Sequence, residues 1–261
     1  MPGTYTLPYF DIFAALLVFA RMSSMLATMP IFGYRGVPLQ VKAALSILLT
    51  IIVFPLVSIG FEPPAPDPLA MLLLVAEEVL VGLLIGFAAS LLFYGVQMAG
   101  QIVGIQIGFG IINVIDPNTE SQISIIATLN YIVALLIFLA LNGHLFLIQA
   151  LVLSYERIPL GGAHFPAELV QQMVQLTGAI FEIALKVAAP LMITLFITDV
   201  ALGFMARVAP QMNVFLVGFP LKIGVGLLVL TLVISLFPFM FGKLYDAFQR
   251  DMVTLIRLVG M

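Results

Sequence analysis

The sequence predicts an all-α integral membrane protein, and three observations carry that prediction. Of its 261 residues, 62% are apolar and only 9% are charged, whereas a soluble domain is about one quarter charged. So few charges cannot cover a globular surface in water. The apolar residues also fall in runs long enough for spans of about 20 residues. Finally, glycines recur at a helical spacing of four in "GQIVGIQIGFGIINVIDPNTES", the stretch from Gly100 to Ser121.

Composition also excludes several functions. The formal net charge is -3, which argues against a nucleic-acid partner, since that would demand a basic face. There are no cysteines, so disulfides, thiolate metal sites and cysteine nucleophiles are excluded. Tryptophan is absent too, leaving tyrosine and phenylalanine to form any interfacial aromatic belt. The N-terminal "MPGTYTLPYFDIF" lacks a basic n-region, and Arg21 sits in the apolar segment behind it. That segment reads as a retained helix, not a cleaved signal peptide.

In chain order, the first apolar segment runs from about Ile12 to Ile31 and breaks at "FGYRGVP". Pro38 suits the first turn of a second helix reaching about Ile59. "GFEPPAPDP", Gly60 to Pro68, reads as a loop. A long helix follows from about Leu69 to Met98, with room to extend through the glycine ladder, and Asp116-Pro117-Asn118-Thr119 marks another break. A fourth segment runs from about Ile123 to Tyr155, interrupted at Asn142-Gly143-His144. "ERIPLGGAHFP" is a loop. A very long helix from about Glu168 to Ala209 is expected to kink at Pro190, which lacks a backbone donor. The last apolar helix is expected from about Pro220 to Phe241. Beyond Lys243, Leu244, Phe248, Met252, Leu255, Ile256 and Val259 recur at helical spacing, away from Lys243, Asp246, Arg250 and Arg257. This tail reads as an amphipathic helix lying on a membrane surface or a partner.

Roughly five or six segments qualify as spans. Arg35 and Lys42 place the first connection in the cytoplasm under the positive-inside rule, and Glu62 and Asp67 then fit the outside. Continued alternation puts the basic tail outside, against the same rule. One internal echo stands out: "GVPLQVKAALSILLT" from Gly36 and "GFPLKIGVGLLVLT" from Gly218. It is consistent with two related hairpins, or with the commonness of Gly-Pro helix starts.

Charges inside apolar segments each cost roughly 3 kcal/mol on insertion scales and need a reason. Arg21, Glu77 and Glu78 sit in such segments, and Glu182 and Lys186 are spaced for a helical ion pair. Asp199 and Arg207 lie two turns apart on roughly one face. A proton relay would show an isolated carboxylate near midspan. Here acids and bases are balanced over several segments, which favours neutralised pairs at helix interfaces. His144 follows a helix break and His164 sits in a loop. Neither has the convergent ligands a metal site needs, so each reads as a hydrogen-bonded histidine, and no metal or cofactor is expected. HExxH, GxSxG and P-loop motifs are absent, which argues against an enzyme.

Gly100, Gly104 and Gly108 fall near one helix stripe, and Gly82 and Gly86 repeat the spacing. Positions without side chains let another backbone approach closely. The run after the ladder, Phe109, Ile111, Ile112, Val114 and Ile115, is too apolar to face water as a loop. Non-helical backbone at membrane depth is tolerated only when buried in protein or lining a cavity. It therefore reads as a buried loop, and in a pore it would be a constriction that excludes water.

"PIFGYRGVPLQVKAALS" from Pro30, the Gly100–Ser121 stretch, "LNGHLFLI" from Leu141, "IPLGG" from Ile158 and "ALGFMARVAPQMNVFLVGFPLKIGVG" from Ala201 occur in this order. With these motifs the chain resembles the FliR family of flagellar biosynthetic membrane proteins and its virulence type III secretion counterpart. The resemblance spans most of the chain and leans to flagellar use. It implies kinked helical hairpins packed in a helical export-gate assembly, one FliP-like part (about 1–208) being joined to one FliQ-like part (about 209–261). It implies FliP-like, FliQ-like and FlhB-like partners, unfolded exported substrates, and a place in the bacterial inner membrane at the flagellar basal body. Much of that assembly lies above the membrane plane, which would explain the failed topology count. It also implies that about Ile107 to Ser121, including Asp116 and Pro117, is the plug that seals the pore. A secondary transporter using intramembrane carboxylates is the competing reading.

Overall fold

Buried from water, a chain must satisfy its own backbone, and a helix does so within one segment. The structure, a computed structural model, describes residues 9–32, 37–57, 67–109 and 124–260. Seven helices account for most of them: α1 Tyr9–Thr28, α2 Leu39–Val57, α3 Pro68–Ile107, α4 Ile125–Ala140, α5 Gly143–Arg157, α6 Ala167–Val208 and α7 Val214–Val259. Five are long and apolar enough to cross a membrane, or six if α4 and α5 are one broken span. At 1.5 Å per residue, the 40, 42 and 46 residues of α3, α6 and α7 extend about 60 Å or more. A hydrocarbon core is only about 30 Å thick. These three helices are therefore longer than one crossing of the hydrocarbon core requires.

Local chemistry sets several boundaries. The Pro38 carbonyl accepts from the amides of Val41 and Lys42, so the proline opens α2. Asp67 caps α3, its Oδ1 accepting from Leu69 N at 3.2 Å. Pro68 is thus the first residue of α3 and not part of the preceding loop. Arg35, Glu62 and most of that expected loop lie outside the described residues. Asn142 takes the left-handed conformation, φ 57°. That geometry costs an ordinary L-residue roughly 1–2 kcal/mol but suits Asn, and it separates α4 from α5.

Proline lies inside both α6 and α7. α6 stays helical through Pro190, and Thr194 Oγ1 donates to the Pro190 carbonyl at 2.8 Å. The same back-bonding recurs at Thr50, Thr198, Thr231 and Ser235. Each hydroxyl is thereby satisfied on its own helix and costs little on an apolar surface. α7, moreover, does not begin at Pro220 or end near Phe241. It runs unbroken from Val214 to Val259 through Pro220 and Pro238. The second Gly-Pro of the internal echo is therefore no helix start.

By contacts the chain forms two units, interleaved along the sequence. One comprises 1–91, 142–176 and 248–261. The other comprises 92–141 and 177–247. In the first, Leu17, Met22 and Met25 of α1 and Ile85 of α3 are fully buried. The tail of α7 joins this core. Phe248, Met252, Leu255, Ile256 and Val259 are buried, while Lys243, Asp246, Arg250 and Arg257 are exposed. Phe146 packs edge-on against Phe248 with ring centres 5.8 Å apart, and the Val259 carbonyl accepts from His164 N at 2.9 Å. The amphipathic tail expected from the sequence therefore packs on its own chain. In the second unit Phe93 lies 5.9 Å from Tyr131, 5.2 Å from Phe138 and 6.3 Å from Phe241, measured between ring centres. Such aromatic pairs add about 0.5–1.5 kcal/mol each beyond their buried area.

Small residues bring the helix backbones together. A Cβ on Gly86 would stand 2.7 Å from the Met25 carbonyl oxygen of α1, and one on Gly82 would strike Ser24 Oγ and the Arg21 carbonyl. A Cβ on Gly100 would lie 2.5 Å from Ala127 Cα of α4, and one on Gly104 3.0 Å from Ser124 Cβ. By contrast, Gly178 of α6 faces open space. Overpacking a tight site costs about 1–3 kcal/mol. Gly100→Val should therefore lower the thermal midpoint of the purified protein well below that of Gly178→Val. Equal midpoints would show that α3 and α4 do not need this contact.

Candidate functional site

A guanidinium buried in an apolar unit needs a counter-charge and partners for most of its donors. Arg21 and Glu78 are both fully buried. Arg21 Nε donates to Glu78 Oε2 at 2.6 Å, and Nη2 donates to Oε1 at 3.1 Å. This is the two-pronged geometry that suits arginine and a carboxylate. Arg21 Nη1 donates to the Ile158 carbonyl at 3.0 Å and to Ser154 Oγ at 3.3 Å. The Tyr155 ring lies 4.3 Å from the guanidinium carbon, and its hydroxyl donates to the Val18 carbonyl at 3.0 Å.

The two adjacent carboxylates of α3 also hold the loop between α5 and α6. Glu78 Oε1 accepts from Gly161 N at 3.1 Å, and Glu77 Oε1 accepts from Ala163 N at 2.5 Å. Gly161 has φ +70°, a conformation that favours glycine. The consecutive glutamates thus serve α1 and the 158–164 loop together. Their role in this geometry is neutralisation and hydrogen bonding within the fold. The sequence marks Arg21, Glu77 and Glu78 by their cost in an apolar segment. It gives no sign of Ser154, Tyr155 or the loop amides, because backbone donors have no sequence signature.

The remaining charges fall elsewhere. Lys186 pairs with Glu182 at 2.5 Å on an exposed face of α6. Asp199 pairs with Lys222 of α7 and not with Arg207. Eight residues along a helix separate side chains by about 12 Å, beyond direct contact. The return of the chain in α7 brings Lys222 alongside instead. Arg207 is exposed in the last turn of α6, where a cation meets the negative end of the helix dipole. The Asp199–Lys222 pair lines a cleft of about 280 Å³ with Leu202, Gly203, Val214, Gly218 and Phe219.

His164 is exposed, its ring Nδ1 lying 3.2 Å from the Gly162 carbonyl. His144 departs from expectation: its Nδ1 is buried and meets no hydrogen-bond partner among the described residues. Among those residues no group of three or more His, Cys, Asp or Glu could hold a metal ion.

At the other end of the ladder, α3 stops at Ile107, and Gly108 has φ +106°. Its amide and that of Phe109 donate to the carbonyls of Ile105 and Gly104, closing the helix as a left-handed C-terminal turn does. Gln101 Oε1 accepts from Ser124 N at 3.2 Å, and Gln106 Nε2 donates to the Met192 carbonyl at 3.4 Å. Ile111, Ile112, Val114, Ile115, Asp116 and Pro117 lie outside the described residues, as does the rest of 110–123.

The fold and these sites describe a multi-helix membrane protein whose buried charges serve its own packing, with a glycine-lined helix ending at a special backbone geometry. Residues 12–248 match the family described as bacterial export proteins, family 1. The flagellar biosynthetic protein FliR of Bacillus subtilis is 36% identical over 96% of this chain and 98% of its own length. That of Escherichia coli K12 is 33% identical over 79% of this chain and 78% of its own, and that of Pectobacterium carotovorum 30% over 87% and 88%. The chain belongs to the bacterial export proteins, family 1, the family of FliR.

Removing one partner of a buried ion pair costs about 3–5 kcal/mol, whereas replacing both with apolar residues is often neutral. Arg21→Met should therefore sharply reduce the steady-state amount of protein in the membrane, and Arg21→Met with Glu78→Leu should recover part of it. A double variant no more abundant than the single would show that the pair does not act as a unit. Glu182→Gln, on an exposed face, should leave the amount unchanged.

Proposed function

We propose that this chain is a core subunit of the flagellar type III protein export gate, forming and sealing the channel through which unfolded flagellar subunits leave the cell. The observation that carries this reading is the end-to-end match to a protein named for flagellar biosynthesis, 96% of one chain on 98% of the other. Its partners on this reading are FliP-like and FliQ-like subunits, with an FlhB-like subunit beside them. Its place is the bacterial inner membrane at the flagellar basal body. It performs no catalysis and contributes a channel wall and a seal. On the same reading its two parts are a FliP-like 1–208 and a FliQ-like 209–261.

Physical features support the assignment. Large apolar side chains are exposed along α6 and α7, among them Phe196, Phe204, Leu228 and Phe239, surface that lipid or neighbouring subunits would cover. The stretch from Phe109 is apolar enough to exclude water from a constriction. It leaves α3 at a glycine whose backbone most residues avoid.

The plug is Phe109, Ile111, Ile112, Val114 and Ile115, with Asp116 and Pro117 ending it. Deleting 109–115 in cells should raise ion leakage across the membrane while the subunit still co-purifies with its FliP-like and FliQ-like partners. An assembled gate that leaks no more than the parent would remove the plug assignment. Failure to co-purify with such partners at all would remove the gate assignment itself.

A further inference from the structure

The end of α3 is held by a side chain that the function above does not use. Phe219 of α7 places its ring against Gly108: a Cβ on that glycine would stand 3.1 Å from Phe219 Cδ1 and 3.2 Å from Cε1. The preceding turn is seated by the same helix, since a Cβ on Gly226 would stand 2.7 Å from Ile107 Cγ1. Phe219 and Gly226 are seven residues apart, two turns along one face. α7 therefore forms a seat for Ile107 and Gly108.

The register of that seat is set from the other side. Lys222, three residues beyond Phe219, pairs with Asp199 of α6. Gly218 is buried, with Leu202 Cδ1 3.2 Å from where its Cβ would be. Ion pair and glycine contact together fix this part of α7 on α6. Phe219 also lines the 280 Å³ cleft with Asp199, Gly203 and Lys222. The ring thus has Gly108 on one side and the cleft on another. Aromatic side chains move between staggered positions when the neighbouring volume admits them. Gly203, on the cleft wall, has nothing within 4 Å of its missing Cβ, so the volume is not closed there.

We propose that Phe219 is a latch on the end of α3: its ring seats Gly108, and the cleft between α6 and α7 is the space into which the ring turns to release it. The Asp199–Lys222 pair holds α7 in place while the ring moves, so the latch works without separating the two helices. A ring with two positions gives two discrete arrangements of Ile107 and Gly108, which is what a switching element requires. The functional consequence rests on reading the stretch from Phe109 as the seal. The latch itself does not.

The test uses the assembled complex and the absence of native cysteine from this chain. Phe109→Cys then supplies the chain's sole thiol, one residue beyond the latch, and its labelling rate with a maleimide reports how firmly the end of α3 is held. Phe219→Ala should speed labelling several-fold, and Phe219→Tyr should restore the slow rate. Gly203→Leu fills the cleft and should slow labelling below that of the parent. Rates unchanged by Phe219→Ala overturn the latch. Slowing by Phe219→Ala overturns it too. A Gly203→Leu complex that assembles but labels no more slowly shows that the cleft is not the release volume and overturns that part. If Gly203→Leu fails to assemble, the Phe219→Ala and Phe219→Tyr rates decide alone. Ion leakage after deletion of 109–115 is read separately. A leak there with no labelling change keeps the seal and removes the latch, and the reverse keeps the latch and removes the seal.

Discussion

Arg21 has no exposure to solvent, and a buried cation left alone would cost several kcal/mol, a large share of a domain's stability. Its neutralisation by Glu78 dictates much of what surrounds it. The two-pronged contact requires α1 and α3 to lie side by side at that level, and the small residues one turn further on make this possible. Gly82 follows Glu78 by four residues and meets the carbonyl of Arg21 itself. A larger residue there would separate the helices and pull the charges apart. The remaining guanidinium donors recruit Ile158 and Ser154, which draws in the end of α5. The carboxylates then take up the amides of Gly161 and Ala163. One ion pair thereby orders a helix pair, a third helix end and a loop. His164, at the end of that loop, bonds to Val259 of the tail.

The same economy appears where no charge is involved. α3 uses glycine toward three different neighbours: Gly82 and Gly86 toward α1, Gly95 toward Ile183 of α6, and Gly100 and Gly104 toward α4. In hydrocarbon the hydrophobic effect does not distinguish a helix neighbour from a lipid chain, so association relies on close packing and polar contacts. Backbone approach at glycine gives dispersion contacts along whole turns. The hydroxyls on these helices bond back to carbonyls of their own helix and so leave little unsatisfied polarity on the outside.

The two units are consolidated by different interactions. The first is held by the buried Arg21–Glu78 clamp, and the second by the aromatic core around Phe93. At Gly108 the regular helix ends in a left-handed turn against the ring of Phe219. On the proposed latch, stability is concentrated away from the element that moves, the expected division in a switching protein.

Membrane character, helix content and the breaks at Asp67, Asn142 and Ala209 were legible in the sequence because hydropathy, proline, glycine and caps act locally. The amphipathic pattern of 243–259 was equally legible, but what it lies on was not. Its apolar face is satisfied by α5 residues such as Phe146 and not by lipid. The Glu182–Lys186 pair could be read from spacing, since both residues lie on one helix four apart. Arg21–Glu78 and Asp199–Lys222 could not, since the partners lie 57 and 23 positions apart and spacing carries no information across a turn of the chain. Proline misled at Pro220, where tertiary packing and length keep α7 continuous despite the missing donor. The sequence by itself determined that the chain is helical, membrane-embedded and lined with close-packing positions, because each is a property of neighbours along the chain. Which charge meets which, where the tail packs and which ring closes the end of α3 were decided by the tertiary structure alone. A contact energy falls within a few ångströms, and only folding brings distant residues that close.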